Sequence, residues 1–117
     1  MLIESLSGVR GRDTDLNTEV ITSYAYAFAE FTDSDKILVG RDTRQNGQHI
    51  KSILIEALKN AGKTVVDLGI CPTPTVQHAV EYHQAAGGIV ITASHNPLPW
   101  NGLKFIGFDG IFLDADE

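Results

Sequence analysis

The sequence predicts a three-layer α/β/α sandwich around a mostly parallel mixed sheet with an antiparallel edge hairpin. Two patterns carry that expectation. Short β-branched runs alternate with amphipathic helical stretches, and the stretches between the runs are long enough for right-handed crossovers that cover both faces of a sheet. A length of 117 residues, 43% of them hydrophobic, allows one domain with a sizeable core.

The elements follow in order. Leu16 and Asn17, then Val20, Tyr24, Ala27, Phe28 and Phe31, have helical spacing, with Asn17 as N-cap and Leu16 to Ile21 as a hydrophobic staple. "KILVG", Lys36 to Gly40, reads as a buried strand. Ile50, Ile53, Leu54, Ala57, Leu58 and Ala61 mark the cleanest amphipathic helix, stopped by Gly62. "KTVVDLG" is a second strand. The prolines of "CPTPT" cannot continue it, but they can open a helix through Val76, Ala79, Val80 and His83. "GGIVITA" is a third strand. Leu103 to Ile106 and Ile111 to Leu113 flank "GFDG", whose Asp-Gly pair favours a hairpin turn. No repeat, low-complexity tract or linker interrupts the pattern.

The longest apolar runs are too short to cross a bilayer, and "MLIESLSGVRGR" lacks the basic and apolar regions of a secretory signal. The expectation is a soluble, cytoplasmic protein without a membrane partner. Net charge of −6 argues against a nucleic-acid partner, which demands a basic surface. Cys71 is the only cysteine, so neither an internal disulfide nor a cysteine-rich zinc pattern is available. It reads as a packing residue. His49, His78 and His83 have no coherent metal-ligand spacing, and the terminal "DADE" reads as a solvated tail.

The basic residues are unevenly placed. All four arginines fall in "SGVRGR" (Arg10, Arg12) and "GRDTR" (Arg41, Arg44), and clustering of forked donors in an acidic protein suggests a small phosphate or carboxylate site. In open α/β sheets, ligands gather beyond the carboxyl ends of the strands. Ser94 lies just past "GIVIT", and "GRDTR" leaves the end of "KILVG", so topology can bring Arg41 or Arg44 towards Ser94 on one rim.

Three chemistries use such a serine. A hydrolase needs a base and its orienting acid; His95 is a direct neighbour, which turns the two side chains apart, and no Gly-x-Ser-x-Gly elbow is present. A capping serine before a helix is the plain structural role for "TASHNP" read alone. A phosphoryl carrier needs surrounding cations, and His95, Lys104 and the arginine stretches favour it.

"SGVRG", "GRDTR", "PTPT", "TASHNP" and "NGLKF", in that order between about Leu2 and Leu113, resemble the first domain of the α-D-phosphohexomutase family: the phosphoglucomutases, phosphomannomutases and phosphoglucosamine mutases. The resemblance implies that residues 1–117 are domain I of a four-domain chain, and that the parent is an isomerase moving phosphate between the 1- and 6-positions of a hexose or hexosamine phosphate. Ser94 matches the catalytic phosphoserine, one phosphate oxygen of which is a ligand of an essential Mg2+. Arg10 matches the arginine near the phosphoserine; His95 and Lys104 match residues lining the reaction centre. Asn96 and Pro97 complete the loop. Arg10, Arg41, Arg44 and Lys104 are the expected phosphate-binding set, and hexose 1,6-bisphosphate the expected activator. Pro99 and Trp100 depart from the acidic residue and tyrosine of many members. With the other three domains as missing partners, the domain alone is expected to be inactive. The alternative is a stand-alone, non-catalytic phosphate- or phosphosugar-binding module.

Overall fold

The computed structural model describes residues 2–5, 8–12, 14–44, 46–92 and 100–113, with backbone alone at positions 3 and 5. Six strands form one sheet: β1 (Ile3–Ser5), β2 (Gly8–Arg12), β3 (Lys36–Arg41), β4 (Thr64–Ile70), β5 (Gly87–Ile91) and β6 (Trp100–Ile106). Their spatial order is β1-β2-β6-β5-β3-β4. β4, β3 and β5 run parallel, whereas β6, β2 and β1 pair antiparallel.

Helices α1 (Thr18–Phe31), α2 (Gly47–Asn60) and α3 (Thr73–Tyr82) supply the outer layers. The side chain of Asn17 accepts the Val20 N–H at 3.0 Å, and the staple partners Leu16 and Ile21 are both buried in one cluster. α2 closes as the sequence predicts. Gly62 has φ +88°, and the N–H groups of Gly62 and Lys63 return to the carbonyls of Lys59 and Leu58 at 3.0 Å, the paired bonds of a Schellman ending. Pro74 sits within the first turn of α3, where its missing N–H removes no helical bond.

Strand alternation sorts the core into two. Ile37 and Val39 of β3, Ile89 and Ile91 of β5, and Leu103 and Phe105 of β6 face α1 and α2. Leu38, Val90 and Ile106 face Val76 and Val80 of α3. β5 is buried along its full length, as a strand covered on both faces must be.

The antiparallel edge is built from more than the sequence suggests. The chain does reverse at "GFDG": Gly110, with φ +78°, returns its N–H to Gly107, and one bridge joins Ile106 to Phe112. The outer strands are nevertheless β1 and β2. β2 lies beside β6 with Gly8 opposite Lys104 and Arg10 opposite Gly102.

Candidate active site

The carboxyl ends of the parallel strands define one rim. There the Asp42 N–H donates to the Ile91 carbonyl at 3.1 Å, the Cys71 N–H to Arg41 at 3.0 Å and the Thr92 N–H to Gly102 at 2.9 Å. The stretch leaving β3 therefore starts beside the end of β5, whose last residue precedes Ser94 by three positions. Ser94, His95, Asn96, Pro97 and Pro99 lie outside the described residues, as do the acidic residues of the terminal "DADE".

The "GRDTR" stretch folds on itself first. Asp42 Oδ1 accepts the Arg44 N–H at 2.9 Å, an Asx turn, and Arg41 Nη1 donates to the Asp42 carbonyl at 3.1 Å. Arg44 Nε lies 3.5 Å from Asp42 Oδ2, while its Nη1 donates to the Trp100 carbonyl at 3.1 Å. The guanidinium thus links the two strands that flank β5 at the point where each meets the rim.

Three of the four expected phosphate-binding residues sit on strands and divide between the faces of the sheet, while Arg44 lies beyond the end of β3. Arg10 stands opposite Gly102, and Lys104 opposite Gly8 and Val90, on the side of the α3 core. They are diagonal neighbours on adjacent strands, a relationship that puts such residues roughly 7–8 Å apart. The Lys104 ammonium lies 5.3 Å from the centroid of the Phe112 ring, within cation–π range. Arg41, opposite Ile91, lies on the α1/α2 side, with its Cδ 3.3 Å from where a Cβ at Gly47 would stand. Gly102 makes room for Arg10, because a Cβ there would stand 2.9 Å from Arg10 Cγ.

Below Arg41, the buried Lys51 pairs with Asp67 on β4, Nζ to Oδ2 at 2.8 Å. Partial burial opposes ionisation of Asp67. The hydrogen bond from Lys51, the Gly69 N–H and the charges of Lys51 and Arg41 outweigh it, holding the carboxyl below its ordinary range. Burial, then the Asp67 charge, pushes the Cys71 thiol up, so the group is kept in its protonated form and packs against Gly40 and α3.

Among the described residues no group of three His, Cys, Asp or Glu side chains stands close enough together to hold a metal ion. Asp42, the carboxylate at the rim, is engaged by Arg44. The described donor set is therefore not a magnesium site by itself; that ion wants octahedral oxygen ligation. A concavity of about 760 Å³ lies at the other end of the sheet between Phe31, Gln84 and Phe108, and no rim residue lines it. None of the described helices is long and apolar enough to cross a membrane.

Sequence reasoning passed over three framework residues. Asp42 could have been read from its Asx-turn position, two before Arg44. Asn101 and the Trp100 carbonyl left no signal of their own, since strand register alone places them.

Fold and site together define a three-layer α/β/α domain whose carboxyl rim is crossed by cationic side chains. Residues 3–117 match the family model described as phosphoglucomutase/phosphomannomutase, alpha/beta/alpha domain I. The chain belongs to the phosphoglucomutase/phosphomannomutase family, as its domain I. It is 39% identical over 119 aligned positions to phosphoglucosamine mutases of Streptococcus pneumoniae strains Hungary19A-6 and CGSP14, covering 94% of this chain and 26% of each relative. Among solved structures, a Thermus thermophilus protein assigned as a phosphomannomutase superposes with a TM-score of 0.90 at 29% identity. That match covers 98% of this chain and 28% of the other. The chain thus spans about a quarter of the length of the relatives it matches.

Proposed function

We propose that this chain is the phosphoserine domain of a phosphohexomutase acting on a hexose or hexosamine phosphate. The carrying observation is the position of Ser94 in sequence, two residues beyond Thr92 at the end of β5, with Arg41 and Arg44 at and beyond the end of β3 and Arg10 and Lys104 on the α3 face of β2 and β6. Phosphoryl transfer relies on positioning and on donors aimed at anionic oxygens, and this set provides those donors. The Ser94 phosphoryl group passes to the free 1- or 6-hydroxyl of the sugar phosphate, that hydroxyl losing its proton and the Ser94 oxygen leaving. After the bisphosphate reorients, Ser94 attacks its other phosphoryl group, and the isomeric monophosphate departs.

Arg10 and Lys104 hold the phosphoryl oxygens from the α3 side of the sheet, and His95 assists proton transfer. Magnesium supplies charge neutralisation when bound; a Ser94 phosphate oxygen would be its ligand from this chain. Hexose 1,6-bisphosphate serves as activator by restoring the Ser94 phosphate. The remaining ligands and the sugar-binding groups belong to further domains of the parent protein, so the 117-residue chain alone has no mutase turnover.

Peptide mass spectrometry of the intact protein, before and after incubation with glucose 1,6-bisphosphate, tests the assignment. Phosphate should appear at Ser94 and increase. Phosphate elsewhere, or a Ser94→Ala protein with normal turnover, overturns it. Sustained turnover by the 117-residue chain alone overturns the requirement for the other domains.

A further inference from the structure

The end of the sheet away from the cationic rim carries a groove of about 760 Å³ between the last turn of α1, the end of α3 and the turn after β6. That volume falls within the roughly 300–1,000 Å³ of ligand pockets. Its aromatic walls face solvent: Phe31 is 48% exposed and Phe108 74%, although both are large apolar side chains. The walls are also held in place. Phe31 stacks on Phe28 with 6.3 Å between ring centroids, and Phe28 lies against Phe105 at 5.1 Å. The turn bearing Phe108 is pressed onto α3, since a Cβ at Gly110 would stand 2.8 Å from both the Gln77 carbonyl oxygen and Glu81 Cγ.

Every ionisable side chain that lines this apolar groove is acidic: Asp33, Glu81 and Asp109. Among the described residues none of the three is in an ion pair. Asp109 Oδ1 accepts the Ile111 N–H at 3.2 Å, which fixes that carboxylate in the turn. Lys63 does not line the groove, and its ammonium is engaged by the carbonyls of Thr32 and Ser34 at 3.4 and 2.6 Å. Gln84 lines it with a left-handed backbone, φ +52°, a conformation for which glycine is the usual choice just after a helix. A side chain retained there at a conformational cost points to a use for its carboxamide.

We propose that the groove between Phe31 and Phe108 is a docking site for a segment of another protein in which arginine is flanked by apolar residues. A guanidinium answers both features of the lining at once: its plane stacks on an aromatic face, and its forked donors bind carboxylates. The apolar neighbours of that arginine cover the exposed rings, and the Gln84 carboxamide meets the backbone of the segment. Charge complementarity selects this occupant over a second copy of the chain. Two copies placed face to face would set Asp33, Glu81 and Asp109 against their own equivalents, and each chain already carries a net charge of −6. A partner held here leaves the cationic rim uncovered, because no rim residue lines the groove.

The test uses the intact protein and a fluorescein-labelled, end-capped hexapeptide alternating leucine and arginine, with binding read by fluorescence anisotropy. The lysine version of the peptide carries the same charge, and the glutamate version reverses it. The arginine peptide should bind about threefold or more tighter than the lysine peptide, weaken as salt rises, and give way to no binding in the glutamate peptide. Phe108→Ala and Glu81→Gln, an exposed ring and an isosteric loss of charge, should each weaken binding by about threefold or more with the thermal midpoint unchanged. Gln84→Gly should weaken binding while leaving the midpoint unchanged or raised. No binding of the arginine peptide up to about 1 mM overturns the proposal, as does equal binding of the arginine and lysine peptides that Phe108→Ala leaves intact. Dimerisation of the intact protein that Phe108→Ala abolishes would make a second copy the occupant and overturn it as well. Should Phe108→Ala fail to fold, Glu81→Gln decides: wild-type affinity in that variant overturns the proposal.

Discussion

Arg44 donates through Nη1 to the carbonyl of Trp100 at 3.1 Å, joining residues 56 positions apart. The guanidinium is mostly buried, with 17% of its side chain exposed, and a bond from a charged donor in that setting contributes about 1.5–3 kcal/mol. Arg44→Ala should destabilise the chain by about that much and lower its thermal midpoint by several degrees. Arg44→Lys should recover less than half, because an ammonium cannot serve Asp42 and Trp100 with the same fork. Equal stability of Arg44→Lys and wild type in chemical denaturation would refute this account.

Gly102→Ala tests the close approach of β2 and β6. The added Cβ would stand 2.6 Å from the Val9 carbonyl oxygen and 3.0 Å from that of Thr92, both backbone atoms with little freedom to move. Overpacking of this kind costs about 1–3 kcal/mol. A Gly102→Ala chain as stable as wild type would show that β6 can shift without penalty.

Lys104→Met should separate chemistry from folding. The half-buried ammonium over Phe112 is worth at most about 1 kcal/mol to stability, and methionine retains the stem. Turnover of the intact mutase should nevertheless fall by about a hundredfold or more if Lys104 meets the transferring phosphoryl group. A variant that loses stability and activity in proportion would mark Lys104 as structural.

Acid sensitivity should map to Asp67. Its carboxyl is held below the ordinary range in the folded chain, so the stabilisation is fully present above the unfolded value of about pH 4 and is lost as pH falls through the folded value. The Asp67 side chain is 42% exposed, which screens the pair and keeps the effect small. Asp67→Asn should narrow the difference in stability between pH 6 and pH 3. An unchanged difference would place the acid-labile group elsewhere.

The three helices were legible because each carries its own punctuation: Asn17 before α1, Gly62 after α2 and the prolines around the start of α3. β2 was not, since "GVRGR" offers one apolar residue and no β-branched run beyond it. It becomes a strand through its neighbours: Gly8 and Gly102 allow backbones to approach, and Val9 fills the α1/α2 core. β6 likewise begins at Trp100, three residues before the predicted Leu103, because Asn101 and Gly102 are poor strand formers placed there by packing. For the site, residue types in the motifs pointed to phosphate chemistry. Which face each cation occupies depended on register, and a slip of one residue reverses it.

The pairing of β2 with β6 also has a consequence for biosynthesis. A growing polypeptide emerges amino end first, so β3, β4 and β5 can find their parallel partners while β2 still waits for a neighbour that the ribosome has yet to make. Arg10 meets its place opposite Gly102 only once β6 is out. Any premature stop between Thr92 and Trp100 would leave β5 and β2 with raw hydrogen-bonding edges, an invitation to intermolecular pairing. β6, the last of the six described strands to emerge, thus acts as a seal: it closes the sheet, hides those edges and completes the cationic rim in one event.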